Sequence, residues 1–313
     1  MGSMSSPAVV TVGSAVVDRI YTLSNLPQPD GGAFVRDHTT AVGGVAANVA
    51  SGLAELGRET GIVTRLETDA AERIETDLRE RGLDCTRVRS GPETSSYTLI
   101  LRGPDGERMV VAGGQSVPNL RLDNADMSYV NDASVVFTSA YAPDAVVSRL
   151  VTARERGELS TLVFDLAGPL SELEGRGTSP ATIDRLLDVA DLFVVGAVAA
   201  RSSFGGCDEA ITALERRGVG RAAVTRGDAG AVLLNEGTTV DVPAIEVAVT
   251  DTTGAGDVFT AGLIHAWLLN GLSAKEAGRF AAGAAALNCA AEGARGHLPT
   301  DAVVRSFLDE KDD

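Results

Sequence analysis

A chain of 313 residues with 44% hydrophobic but only 4% aromatic residues can bury a large core, built from Val, Ala and Leu rather than from rings. A formal charge of −16 and a pI near 4.6 exclude nucleic acid as a partner, because affinity for phosphate backbones comes from Lys and Arg clusters that no segment supplies. No apolar run reaches the roughly 18–20 residues of a membrane span, so no membrane partner is expected. Lys275 and Lys311 are the only lysines among 27 basic residues, which fits either a halophilic source, where carboxylates keep a surface hydrated in salt, or a GC-rich coding sequence. Cys85, Cys207 and Cys289 are far apart and lack metal spacing, so neither a disulfide framework nor a zinc site is indicated and a reducing cytoplasm is expected. The opening MGSMSS matches an N-myristoylation pattern through Gly2 and Ser6 but reads as a cloning-derived leader ahead of Met4; no signal peptide precedes the first strand.

In chain order, near-continuous apolar runs at 9–13, 134–140, 161–167, 191–196 and 222–227 read as strands buried on both faces. Helical patterns fall near 44–57, 70–82, 143–157, 180–190 and 207–218, with Gly57 and Gly82 at stop positions. That alternation predicts an α/β fold with a doubly wound, mainly parallel sheet. Two stretches break it. Residues 15–42, with a turn-rich LPQPDGGAFV, and 95–113, with a PDGE turn, are strand-like without an intervening helix. They read either as a small β-sheet lid over the strand ends or as an ordinary edge hairpin. No linker separates independent units, so one domain over 1–313 with these lid insertions is expected.

The most informative stretch is DTTGAGDVFTAGL at 251–263. Gly254, Ala255 and Gly256 are small enough to present consecutive N–H groups, and a helix expected over 258–270 points its positive end at them. The result is an anion hole, yet neither GxGxxG nor GxxxxGK[ST] occurs in the chain. Asp257 beside such a hole would repel a bound phosphate. One reason for its presence is proton transfer, the carboxylate accepting a hydroxyl proton while the hole holds a phosphoryl group in line; a helix cap is the structural alternative. Earlier in the chain, GGVAANVASGLAELG at 43–57 pairs Gly43 and Gly44 with Asn48 one turn into a helix, offering close backbone approach and an amide on one face.

DTTGAGD before an apolar helix resembles the C-terminal signature of the ribokinase-like, or PfkB, family of carbohydrate kinases, and GGVAAN resembles its N-terminal one. The resemblance implies an ATP-dependent kinase phosphorylating a primary hydroxyl of a sugar or sugar-like molecule, with Mg²⁺ accompanying ATP. It implies Asp257 as base; Gly254, Ala255 and Gly256 as phosphoryl-charge stabilisers; and Asp18, Gly43, Gly44 and Asn48 as acceptor contacts. On the nucleotide side TRGDAGAVLL implies Thr225 and Gly227, joined by Thr253 and by Asn288 in AALNCAAEGARGHLP. Asp251, Thr253, Ala291 and Gly293 match a potassium site found in many relatives, and a homodimer through the lid is an expectation of the exposed lid edge.

Two positions depart from the family pattern. Gly196 and Ala199 stand where an Asn and a Glu normally help to hold magnesium, which leaves a catalytically weak or silent sugar-binding protein as an alternative. Val45 replaces the lysine usual in ribokinases, and Tyr141 lies where they carry an acidic residue, so a nucleoside acceptor stays open beside a sugar. His38, His265 and His297 are too scattered for a metal site and read as structural. Trp267 reads as core, and the tail DEKDD as solvated disorder.

Overall fold

The computed structural model describes residues 7–105, 107–173 and 175–312, so the leader MGSMSS lies outside the described residues. The first half of the chain runs β1 (Val9–Val12), β2 (Val16–Leu23), β3 (Val35–Gly43), α1 (Val45–Glu55), β4 (Thr60–Glu67), α2 (Ala71–Glu80), β5 (Asp84–Gly91), β6 (Tyr97–Arg102), β7 (Arg108–Gly113), α3 (Asn124–Asn131), β8 (Val135–Ser139) and α4 (Asp144–Glu155). The second half runs β9 (Leu162–Asp165), α5 (Pro180–Val189), β10 (Leu192–Val195), α6 (Ala197–Phe204), α7 (Cys207–Arg217), β11 (Arg221–Thr225), β12 (Ala231–Asn235), β13 (Thr238–Val242), α8 (Ala255–Leu263), α9 (Ala274–Cys289) and α10 (Asp301–Glu310).

Nine strands form the larger sheet in the order β13-β12-β11-β10-β9-β8-β1-β4-β5. Seven of them pair in parallel, and β12 and β13 are added antiparallel at one edge. The all-buried patterns of β1, β8, β9 and β10 explain their near-continuous apolar sequences, because helices cover both faces. Phe137, Phe164 and Phe193 are the bulkiest fully buried side chains, and Phe164 and Phe193 touch at 5.4 Å between centroids. Each such burial contributes about 1.5–3 kcal/mol, so the larger sheet is the stable part of the molecule.

Strand order reverses between β4 and β8 on either side of β1, which opens a crevice at the carboxyl ends of these strands. Gly13, Tyr141, Asp165, Gly196 and Thr225 all lie at or just beyond such ends.

The two irregular stretches form a separate four-stranded sheet, β3-β2-β6-β7, and not an edge hairpin of the main one. Asp18 is the cross-strand partner of Thr98 in the parallel β2–β6 pair, and Tyr21 stacks on His38 across β2–β3. The outer strand β7 is exposed almost throughout, with Met109, Val110 and Val111 at 44%, 57% and 51% exposure. The inner strands anchor this sheet instead, through buried Val17, Ile20, Val42 and Ile100.

Three details differ from the sequence reading. The helix after the glycine turn starts at Ala255 and passes into a π-helix over Ile264–Leu269, so it is not one α-helix over 258–270. Strands β4 and β5 carry enough polar residues (Arg65, Glu67, Arg87, Arg89) to hide from an apolar-run search. Asp309 and Glu310 close α10, and Lys311 Nζ donates to the Glu246 carbonyl at 2.9 Å, so the tail is held up to that point.

Candidate active site

Helices α1 and α8 bring the two motifs together. Gly52, one turn beyond Asn48, faces Ala261, one turn beyond Asp257; a Cβ on Gly52 would lie 3.0 Å from the Ala261 methyl. That close approach lets the Asn48 amide donate from Nδ2 to Asp257 Oδ2 at 2.7 Å. Asn48 is 5% exposed and its Oδ1 has no partner. A donor fixed on one oxygen leaves the other Asp257 oxygen to face the cleft.

Burial pushes the Asp257 carboxyl up to about 7; the Asn48 bond opposes this, while the negative charges of Asp165 and Asp18 reinforce it. A base with that affinity holds a proton reversibly at neutral pH. Asp257 stands in the first turn of α8, whose N-cap residue Gly254 supplies no side-chain bond. The leading N–H groups of a helix have no intrahelical acceptor and carry the positive end of its dipole, so this turn is suited to an anion. Gly254 has φ 76°, and a Cβ there would lie 2.2 Å from the Ala294 carbonyl oxygen; no other residue fits that turn. Gly256 is exposed and unobstructed, as close approach of a phosphate requires. The Asp257 side chain is therefore not the helix cap.

Asp18 is 7% exposed and accepts from Thr98 Oγ1 at 2.6 Å. Burial raises its carboxyl, while Thr98 and the Arg295 charge pull it back. The reason for Gly43 proves sharper than backbone approach to a ligand: a Cβ there would sit 2.0 Å from Asp18 Oδ2. Gly44, φ 100°, caps α1 while passing over the Ser14 carbonyl. Tyr141 is 38% exposed just beyond β8; burial, then the charges of Asp165, Asp257 and Glu172, hold its hydroxyl protonated.

Sequence reasoning missed Asp165. This residue closes β9 at 5% exposure, accepts the Ala167 N–H at 2.7 Å on one oxygen, and is raised by burial to about 7. The following turn is strained, Ala167 having φ 50°. Asp18, Asp165 and Asp257 thus converge electrostatically on one cleft. The apolar run 161–167 suggested only a strand, which masked its terminal carboxylate.

Across the glycine turn, Asp251 Oδ1 accepts from Thr253 N and Oγ1 at 2.9 and 2.7 Å, and Oδ2 accepts from Gly293 N at 2.9 Å and Arg102 Nη2 at 2.6 Å. Burial would raise this carboxyl, but these donors hold it below its ordinary range. Asn288, expected on the nucleotide side, is fully buried and donates to the Thr253 and Ala294 carbonyls, so its amide braces the turn. The Ala291 N–H donates to the Asn288 carbonyl. Thr225 ends β11, and Gly227 with φ 65° opens the turn into β12. A Cβ on Gly196 would stand 3.9 Å from Thr225 Oγ1, which places the two strand ends side by side.

Gly196 caps α6 and Ala199 is fully buried, and neither carries a side-chain oxygen for a metal. Among the described residues no three His, Cys, Asp or Glu cluster to hold one. Among the described residues, then, no cluster of three such side chains is built around a metal at these two positions. His265 is occupied by Arg58 and Asp301, His297 is exposed, and Trp267 is core, 6% exposed.

Residues 6–301 match the pattern described as pfkB family carbohydrate kinase. The chain is 29% identical over 309 residues to the ATP-dependent ribose-1-phosphate kinase of Halopiger xanaduensis, a match covering 97% of this chain and 99% of that protein. It superposes on the structure of Arabidopsis thaliana ribokinase complexed with ribose and ATP with a TM-score of 0.81 at 26% identity, over 97% and 99% of the two chains. The nucleoside kinase of Methanocaldococcus jannaschii shares the fold, with a TM-score of 0.82 at 21% identity over 97% and 98% of the chains.

Proposed function

The chain belongs to the pfkB family of carbohydrate kinases, and from that premise we propose that it transfers the γ-phosphoryl group of ATP to a primary hydroxyl of a sugar or sugar-like molecule. The observation that carries this reading is Asp257, held by Asn48 at 2.7 Å in the first turn of a helix whose N-terminus has no side-chain cap. Asp257 takes the proton of the acceptor hydroxyl; the freed oxygen forms its bond to the γ-phosphorus as the bond to the β–γ bridging oxygen breaks, and ADP leaves. The N–H groups of residues 254–257 face the charge that develops on the phosphoryl oxygens. Asp18, Gly43, Gly44 and Asn48 form the acceptor side, and Thr225, Gly227 and Thr253 the nucleotide side.

Coupled ADP release over a panel of sugars, sugar phosphates and nucleosides tests the proposal. Turnover with one acceptor class, lost in Asp257→Asn, is the expected result; ADP release with none sinks it. A nucleoside acceptor is the second reading, favoured by the half-exposed ring of Tyr141, which offers a stacking face. The bare positions Gly196 and Ala199 favour a silent sugar-binding protein, for which acceptor binding would persist without ADP release in any divalent metal.

We further place the protein in a reducing cytoplasm, because Cys85, Cys207 and Cys289 are free and no described helix is long and apolar enough to cross a membrane. A homodimer through the smaller sheet is proposed from its edge strands β3 and β7, with Phe34 just before β3 and Val35 at its start 79% and 55% exposed. The smaller sheet acts in this reading as a lid within a single kinase domain.

A further inference from the structure

Two arginines from one hairpin of the smaller sheet reach the loop that carries Asp257. Arg102 ends β6, Arg108 begins β7, and the two are cross-strand partners beside the hairpin turn. Arg102 donates through Nη2 to Asp251 Oδ2 at 2.6 Å, and its Nη1 lies 3.5 Å from Glu292 Oε1. Arg108 Nη1 donates at 2.9 Å to Thr253 Oγ1, which in turn donates to Asp251.

These contacts fall on the residues that family resemblance assigns to potassium, and the two do not fit together. Both Asp251 oxygens are taken, by Thr253 N and Oγ1 on one and by Gly293 N and Arg102 on the other. The Thr253 carbonyl already accepts from Asn288. A metal cation would have to share a carboxylate with a guanidinium that repels it. Asp251 nonetheless needs a positive partner, because its side chain is only 9% exposed and a buried carboxylate without one is strongly unfavourable.

We propose that the Arg102 guanidinium is the cation of the 251–256 loop, delivered by the lid in place of a monovalent metal. The consequence reaches the anion hole through a short covalent path. Asp251 orients the Thr253 N–H, Thr253 leads directly into Gly254, and Gly254 has its one allowed seat against Ala294. Arg102 is thus a positioning residue: a closed lid seats the turn that receives phosphate, and an open lid leaves Asp251 without its charge partner.

The inference rests on the kinase reading, and a nucleotide-binding readout keeps the two separable because it needs no acceptor. ADP affinity is measured by calorimetry in KCl and in choline chloride at equal ionic strength, for the wild type and for Arg102→Ala. The wild type is expected to bind ADP equally in both salts. Arg102→Ala is expected to bind about tenfold more weakly in choline chloride and to recover in KCl or with added guanidinium. Saturable tightening of the wild type by potassium overturns the proposal. So does an Arg102→Ala protein that binds normally in choline chloride, or one whose loss neither cation restores. Should Arg102→Ala fail to fold, Arg102→Gln, which keeps the stem and drops the charge, is read in the same way. Wild-type protein that binds no ADP in either salt overturns the kinase reading and this inference with it.

Discussion

Asn48 and Asp257, 209 residues apart, meet through a 2.7 Å bond from the amide to one carboxylate oxygen. The contact joins the helix that follows the smaller sheet's β3 to the helix that follows the glycine turn, so the proposed acceptor and phosphate halves of the site share one side-chain pair. Replacing Asp257 by Asn keeps the shape and an acceptor for Asn48 but removes the base. Turnover is expected to fall by about 10²–10⁴-fold, with acceptor binding by calorimetry largely kept. Wild-type turnover in that variant would exclude Asp257 as base.

Stability should move the opposite way. The carboxyl rises from 3.8 to about 7 on folding, chiefly through burial, so the folded state holds the proton more tightly than the unfolded chain. Its contribution is fully present below the unfolded value and is lost as pH rises through about 7. At pH 8 Asp257→Asn is expected to be more stable than wild type by about 1–3 kcal/mol, the gap closing toward pH 4. Thermal unfolding across that range is the check, and a gap independent of pH would contradict it.

Asp165 adds to the pH dependence expected of the proposed reaction, behind the burial of Asp257 itself. Its negative charge raises Asp257, and both carboxyls lie near 7, so they titrate as a coupled pair. The kcat/KM of the wild type is expected to rise with pH through an apparent value near 7. Asp165→Asn retains an acceptor for the Ala167 N–H while removing the charge, so the limb should move to lower pH. An unmoved limb would show that Asp165 does not act on the base.

What could be read from the sequence was local. The glycine turn, its aspartate and the buried parallel strands are contiguous patterns that need no knowledge of distant contacts. The small sheet was readable from its two strand-like stretches, but its pairing was not, because β2 pairs with β6 some 80 residues on, as in the Thr98 bond to Asp18. Arg102, Arg108 and Arg295 escaped notice for the same reason. Arg295 is charged and nearly buried, yet its partners Ser51, Asp77 and the Val42 carbonyl lie more than two hundred residues away. For Asn288 the motif was legible, but only packing reveals that its amide donates to the Thr253 and Ala294 carbonyls.

The glycines of the turn separate by geometry. At Gly254 a methyl group would require φ 76° and meet the Ala294 carbonyl at 2.2 Å, whereas at Gly256 it would meet nothing within 4 Å. Gly254→Ala is expected to cost about 1–3 kcal/mol of stability and to weaken ADP binding, since the turn must shift. Gly256→Ala, at a helical position, should leave stability unchanged or slightly raised. Denaturant unfolding of the two variants side by side makes the comparison; equal losses would mean that the turn is not locked against Ala294.

The smaller sheet has two free edges, β3 and β7, and β7 exposes valine and methionine on both faces. An exposed apolar edge strand pairs with another chain unless something blocks it, and no proline and only Arg108 interrupt β7. A second copy of the chain meeting this sheet would cover Met109 and Val111 without disturbing the main core, which draws its stability from the larger sheet. Sedimentation velocity is expected to show a dimer in the wild type and a monomer in Val111→Lys, with equal unfolding temperatures measured at concentrations where both are monomeric. Because Arg102 and Arg108 sit on this same hairpin, the monomeric variant should also bind ADP less tightly if pairing steadies the lid. A wild type that sediments as a monomer at every concentration would leave those valines as plain surface and refute the pairing.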